Sequence, residues 1–228
     1  AEGHRPICQD TGIVNVFLKV GMGVRWDTQH GLAEMVNEGV HRAYEFPDNR
    51  LRASVVDDPA FARKNTKDNT PAVFHVELVP GNTVEVTVAA KGGGSENKSK
   101  FVMLNPSDSI EDWVLKTVPT MGAGWCPPGM LGPSSKLEEL RISLYEKVNA
   151  LGIGAQGLGG LTTVLDVKIR SYPTHAASKP VAMIPNCAAT RHAHFVLDGS
   201  GPAVLEPPSL EHWPKVTWSA GPGSRRVN

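Results

Sequence analysis

Three cysteines stand far apart in this chain, Cys8, Cys126 and Cys187, and each has a proline within two residues. They occur in Pro6-Ile7-Cys8-Gln9-Asp10-Thr11-Gly12, in Gly124-Trp125-Cys126-Pro127-Pro128-Gly129 and in Pro185-Asn186-Cys187-Ala188-Ala189-Thr190. An odd number of thiols cannot all pair within one chain, so they read as reduced and as belonging to a cytoplasmic compartment. Proline fixes φ and removes a donor, which sets each cysteine in a loop of defined direction. A fold that uses all three must bring three distant loops together. That requirement constrains the chain more than any single helix or strand.

The 228 residues suit one domain, and a hydrophobic content of 40% supplies a sizeable core. Lys plus Arg and Asp plus Glu each total 23, so the formal net charge is zero. No overall field then recruits nucleic acid or an anionic membrane surface. No run approaches the ~20 apolar residues of a membrane span, and none resembles a signal peptide.

Pattern and punctuation give a mixed α/β reading, with sheets flanked by helices in a single domain. Ile13 to Val20 reads as a strand rich in Val, Ile and Phe. Thr28 to Phe46 reads as a helix with Leu32, Met35, Val36, Val40, Ala43 and Tyr44 at three- and four-residue spacing, ended by Pro47. Ala72 to Val79 and Thr83 to Ala90 read as a hairpin around Pro80-Gly81-Asn82. Ser107 or Ser109 caps a helix running to about Val118. Ser135-Lys136-Leu137-Glu138 fits a capping box for a helix with Leu137, Leu140, Leu144 and Val148 on one stripe. Leu161 to Arg170, Val181 to Pro185 and His194 to Leu197 read as strands, with His192 and His194 facing opposite sides.

Two glycine-rich stretches invite a ligand reading. Gly152-Ile153-Gly154-Ala155-Gln156-Gly157 has the G-x-G-x-x-G pattern, but a helix precedes it where a dinucleotide site needs a strand. A tight turn that lets backbone pack closely is the better reading. Gly92-Gly93-Gly94-Ser95-Glu96-Asn97-Lys98 offers unobstructed N–H groups with Ser95, Asn97 and Lys98 as added donors. It suits a nest for a carboxylate or phosphate, the alternative being a flexible surface loop.

Three thiolates can hold an iron–sulfur cluster and leave one iron as an open Lewis acid. Their spacing is not that of a ferredoxin, and no close Cys or His pair forms a structural zinc site. Three buried structural thiols are the bland alternative. The neighbours favour chemistry: Asp10 follows Cys8, His175 precedes Cys187, and Arg191-His192-Ala193-His194 follows it. An acid, an imidazole and cations beside an open iron are the parts of a hydration site.

At these residues the chain resembles the class I fumarate hydratases, an iron–sulfur hydro-lyase family that also contains tartrate dehydratase. The matching blocks are CQDTG (Cys8 to Gly12), NTKDNTPA (Asn65 to Ala72), KGGGSENKSKF (Lys91 to Phe101) and GAGWCPPGMLG (Gly122 to Gly132). A long run from Gly152 through Ala203 completes them. The resemblance implies a 4Fe-4S cluster on Cys8, Cys126 and Cys187. It implies that Gln9 and Asp10 touch a fumarate or malate dicarboxylate, with Asp10 a candidate acid, and that His175 lies close to substrate. Arg52 is similar in position to an arginine gripping a substrate carboxylate, and Gly92, Ser95, Asn97 and Lys98 to the loop completing the pocket.

The resemblance also implies what lies elsewhere. A second hydro-lyase domain in cis, or a partner subunit in trans, supplies further cations and the proton-abstracting base, in a homodimer or heterotetramer. Residues 1–205 read as the cluster-binding domain, and the Pro-rich 206–228 as a tail or the start of an interdomain linker. Relative to the family, a stretch is missing where Gly132 passes directly to Pro133. Reversible hydration of fumarate to L-malate is the expected reaction, with L-tartrate dehydration or a non-catalytic cluster-carrying role as alternatives.

Overall fold

The alternation in Ile13–Gly21 (β1) buries Val14, Val16, Leu18 and Val20 on one face and leaves Phe17 and Lys19 on the other. The computed structural model describes residues 10–124, 135–154, 157–187, 190–201 and 203. Helix α1 (Leu32–Glu45) lays Leu32, Val36, Val40 and Tyr44 on the buried face of β1. It starts at Leu32 rather than Thr28, because the Glu34 carboxylate accepts the Gly31 N–H at 2.9 Å. Thr28 is used earlier, its hydroxyl accepting the His30 N–H at 3.1 Å. The helix stops before Pro47, as its missing N–H requires.

A short ribbon of β2 (Val56–Asp57) and β3 (Lys64–Asn65) precedes β4 (Val73–Val79) and β5 (Val84–Lys91). The chain continues through α2 (Gly93–Glu96), β6 (Lys100–Leu104), α3 (Ile110–Thr117) and a 3₁₀ segment Val118–Gly124. It then forms α4 (Ser135–Ala150), β7 (Lys179–Met183) and β8 (Arg191–Leu197). The main sheet has the order β4-β1-β5-β8, and β6 pairs with β7 separately.

The expected hairpin does not form. β4 and β5 flank Pro80-Gly81-Asn82, but β1 lies between them, parallel to β4 and antiparallel to β5. The connection straddles the end of β1: Gly23 N–H donates to Gly81 O at 2.7 Å and Gly21 N–H to Thr83 O at 2.9 Å. A Cβ on Gly21 would collide with the Gly81 carbonyl, so this crossing needs glycine. Alternation identifies strands but not their partners, and β1 is apolar enough to take the central position.

Nor is Leu161 to Arg170 a strand. Asn149 of α4 replaces the ladder: its Oδ1 accepts from Thr163 N–H at 2.7 Å and Val164 N–H at 2.9 Å, and its amide donates to Val164 O at 3.1 Å. Val164 and Val167 are buried there, while Asp166 meets Arg141 at 2.8 Å and Lys168 at 3.1 Å. The expectation for His192 and His194 also fails, because residues two apart on β8 share a face.

Other features hold. Ser109 is the cap of α3, its hydroxyl accepting from Asp112 N–H at 3.1 Å. Leu144 and Val148 are buried along α4, with Leu140 packed beside them. The capping box expected at Ser135 rests on a side chain outside the described residues, while further along α4 Arg141 Nε binds the Glu138 carboxylate at 2.8 Å. The Gly152 region is a tight turn, with Gly159 N–H reaching Ile153 O at 2.7 Å.

The result is the expected α/β fold, with two apolar clusters. One lies between α1 and the sheet. The other unites α3, α4, Val164, Val167 and Met183. Beside α1, over the inner face of β5 and β8, is an apolar cavity of about 610 Å³. Among the described residues no helix is long and apolar enough to cross a membrane. The stretch 206–228 and the Gly132–Pro133 junction lie outside the described residues.

Candidate active site

The topology gathers the site at one end of the main sheet. β1 and β8 start there, β5 ends there, and β4 starts two residues further along, opposite Asn15. The loops entering or leaving these strands carry Asp10, Asn69, Gly92 to Lys98 and Cys187. Arg52 joins them through a parallel backbone bridge to Asp10.

Asp10 is the centre of this group. Its Oδ1 accepts from the Gly12 N–H at 2.8 Å and the Ser54 hydroxyl at 2.7 Å, and its Oδ2 from the Gly93 N–H at 3.3 Å. Burial pushes its pKa up. The Ser54 hydroxyl, the Gly12 and Gly93 N–H groups and the Arg52 charge outweigh burial and hold the carboxyl below its usual value. Asp10 is therefore an acceptor at neutral pH and must take up a proton before it can act as an acid. Gly12 makes the close approach possible: φ is +54°, and a Cβ there would collide with the Lys91 carbonyl.

The glycine-rich stretch is shaped as a helical turn. Gly93–Glu96 forms one helical turn, α2, with Ser95 buried and its hydroxyl donating to Gly92 O at 3.1 Å. Its first N–H meets the Asp10 carboxylate, so the carboxylate it receives belongs to the chain itself. Asn97 caps the turn from its exposed end, and Lys98 is half-buried beyond it.

Two residues missed by the sequence reading tie these loops together. Asn69 is fully buried with φ of +61°, and its amide reaches both the Gly12 carbonyl and the Ser54 and Val55 N–H groups. Lys91, at the end of β5, donates to Pro185 O at 2.8 Å. That bond fixes the Cys187 loop against α2. Cys187 is half-buried, and its N–H donates to Asn186 Oδ1 at 3.1 Å, which also accepts the Thr190 hydroxyl at 2.8 Å. The available signal for Asn69 was its place in Asp68-Asn69-Thr70-Pro71, since Asn tolerates left-handed backbone. Lys91 carried no signal beyond its matching block.

His175 is not joined to this group by a hydrogen bond among the described residues. It is exposed in a turn where its Nδ1 accepts the Ala177 N–H at 3.1 Å. In the neutral ring the proton then sits on Nε2. Arg52 is exposed beside Asp10. Cys8, Gln9 and Cys126 lie outside the described residues. Among the described residues no three His, Cys, Asp or Glu side chains gather as a metal site.

The described part thus brings together Asp10, Arg52, Ser95 and the Cys187 loop. Cys8 is two residues from Asp10 in sequence. The arrangement supplies a fixed carboxylate, an exposed guanidinium suited to a carboxylate partner, and one thiol in a rigid loop. These are groups suited to an anionic ligand.

Comparison with known proteins agrees. A family model described as Fumarate hydratase (Fumerase) matches residues 1–134 and 132–196. A protein of Methanocaldococcus jannaschii named "Putative L(+)-tartrate dehydratase subunit alpha" is 35% identical over 226 residues, covering 84% of this chain and 78% of that protein. The "L(+)-tartrate dehydratase subunit alpha" of Escherichia coli (strain K12) is 30% identical over 224 residues, covering 85% and 73%. The protein of the same name from Shigella sonnei (strain Ss046) gives the same values, 30% identity with 85% and 73% covered. With the model matching most of its length and these relatives aligned over four-fifths of it, the chain belongs to the fumarate hydratase (Fumerase) family of hydro-lyases.

Proposed function

We propose that this chain is the cluster-bearing part of an iron–sulfur hydro-lyase that hydrates fumarate to L-malate. The carrying observation is the junction at one sheet end, where Asp10 is anchored by Ser54 and Gly93 beside Arg52. In this reading Cys8, Cys126 and Cys187 hold a 4Fe-4S cluster, which supplies Lewis-acid polarisation of the substrate hydroxyl when bound. Arg52 grips one carboxylate, and Gln9 with Asp10 orients the other end and moves a proton. Ser95, Asn97 and Lys98 close the pocket around Gly92, and His175 presents its Nε2 side to substrate.

The relatives are named as alpha subunits, which supports a partner subunit in trans that contributes the base. Residues 1–205 are then the cluster-binding domain. A second reading, L-tartrate dehydration, is favoured by the same names.

Anaerobic reconstitution with iron and sulfide, in the presence of the partner subunit, tests both. Parallel assays on fumarate, L-malate and L-tartrate decide the substrate. Iron content and an EPR signal that survive replacement of all three cysteines by alanine would sink the ligand assignment.

A further inference from the structure

We infer that Asn69 is a positioning residue whose side-chain amide sets the separation between the loop carrying Asp10 and the loop carrying Arg52. The inference rests on the function proposed above. Asn69 is 0% exposed, and its side chain bonds to the backbone of both loops as well as to the Tyr44 hydroxyl. Its Oδ1 accepts from Ser54 N–H at 2.7 Å and from Val55 N–H at 3.1 Å. Its Nδ2 donates to Gly12 O at 2.9 Å. Gly12 lies two residues beyond Asp10, and Ser54 lies two residues beyond Arg52.

One planar amide therefore spans two loops that are far apart in sequence, bonding in each at the residue two beyond the group that would meet the ligand. The backbone of Asn69 sits at φ +61°, a region that asparagine tolerates better than other side-chain-bearing residues. Both the conformation and the amide argue for asparagine here. Ser54 extends the effect, since the hydroxyl on the clamped residue donates to Asp10. Loss of the amide would strand a buried carbonyl and two half-buried N–H groups, and the loops would respace to find partners. A shift of about 1 Å between groups that act on one substrate costs on the order of 100-fold in rate.

A merely structural staple would lower the melting temperature and leave the chemistry of folded molecules intact. Two variants separate these roles, each as the full chain combined with its partner subunit, loaded with iron and sulfide, and assayed well below its melting temperature. Asn69→Gly keeps the backbone conformation and loses the amide. We expect kcat/KM lower by about 100-fold, with iron content equal to wild type. Asn69→Asp keeps the acceptor for Ser54 and Val55 and loses the donor to Gly12. It should lower kcat through the Asp10 loop while KM, set by Arg52, stays within about twofold. Unchanged kcat/KM in Asn69→Gly overturns the inference, and where that variant fails to fold, unchanged kcat in Asn69→Asp overturns it.

Failure of the proposed reaction is read separately. If wild type turns over neither fumarate nor L-tartrate, succinate binding is measured by calorimetry on wild type and Asn69→Gly. Binding about tenfold weaker in the variant supports the inference, since about 1.4 kcal/mol is tenfold. Equal binding in both proteins, or none in the wild type, overturns it.

Discussion

Lys91 reaches from the end of β5 to the carbonyl oxygen of Pro185, 2.8 Å away and two residues before Cys187. Its side chain is only 16% exposed and also approaches Glu96 at 3.4 Å. A charged donor thereby anchors the Cys187 loop to the turn that holds Asp10. Lys91→Met removes the donor and keeps the apolar stem. A charged hydrogen bond is worth about 1.5–3 kcal/mol, so the loop should hold iron at least about tenfold less tightly. Iron remaining per chain after reconstitution and chelator challenge measures this.

Arg52 is exposed and presents a planar fork beside Asp10. Lysine keeps the charge but not the paired donors. Arg52→Lys should raise KM for the dicarboxylate about tenfold or more, with a smaller change in kcat. Steady-state kinetics of the reconstituted complex decide it, and an unchanged KM would remove Arg52 from the site.

Asp10→Asn retains an oxygen that can accept from Ser54 and Gly12 while losing the charge and the ability to carry a proton. Its amide nitrogen cannot accept from the Gly93 N–H, so that bond is lost while those from Ser54 and Gly12 remain. Activity should fall by about 100-fold or more, the usual worth of a positioned acid or base. Equal iron content in variant and wild type would show that the loss is chemical.

Leu144 is 2% exposed at the centre of the α3–α4 cluster. Leu144→Ala leaves a cavity among Val114, Val148 and Val164, and should cost about 2–5 kcal/mol. Urea unfolding measures it. Ile142, on the same helix and 45% exposed, should tolerate alanine far better.

His41 and Asp68 give a pH signature. Asp68 lies at about 2 rather than 3.8, held down first by the Thr70 N–H and then, against partial burial, by the Thr70 hydroxyl and His41. His41 is raised above its ordinary 6.5, mainly by its bond to Asp68, with Glu45 and Glu38 adding to it. A depressed carboxylate stabilises above its unfolded pKa and loses that effect as pH falls through the folded one. A raised histidine stabilises below its unfolded pKa and loses that effect as pH rises through the folded one. The contribution of the pair is therefore complete between about pH 4 and about pH 6.5. The melting temperature of His41→Gln should fall furthest below wild type near pH 5.5, and the gap should close by pH 9.

The strands and helices were legible where one side-chain period dominates, as in β1, α1 and α4. What the sequence hid was pairing. The β4 and β5 segments satisfy every local sign of a hairpin, and only the burial demanded by β1 separates them. Leu161 to Arg170 is rich in β-branched residues like a strand, yet the Asn149 side chain supplies the bonds a neighbouring strand would have given. In the site, Asp10 stood out by its place after Cys8 and Arg52 followed from resemblance, and their contact from neither spacing nor composition. Asn69 and Lys91 act through backbone carbonyls and N–H groups, which every residue carries. No pattern of residue types can announce such bonds.

The insertion of β1 between β4 and β5 has a consequence for how the protein is made. β1 leaves the ribosome first, and both strands that cover its edges follow roughly sixty residues or more later, a long wait for non-local pairing. Through that interval it is an apolar segment with two open edges, the form most prone to pair with another chain. The end of the sheet that carries Asp10 can therefore take shape only after Lys91 has been made, and until then Ile13–Gly21 is the segment most open to pairing with a second chain.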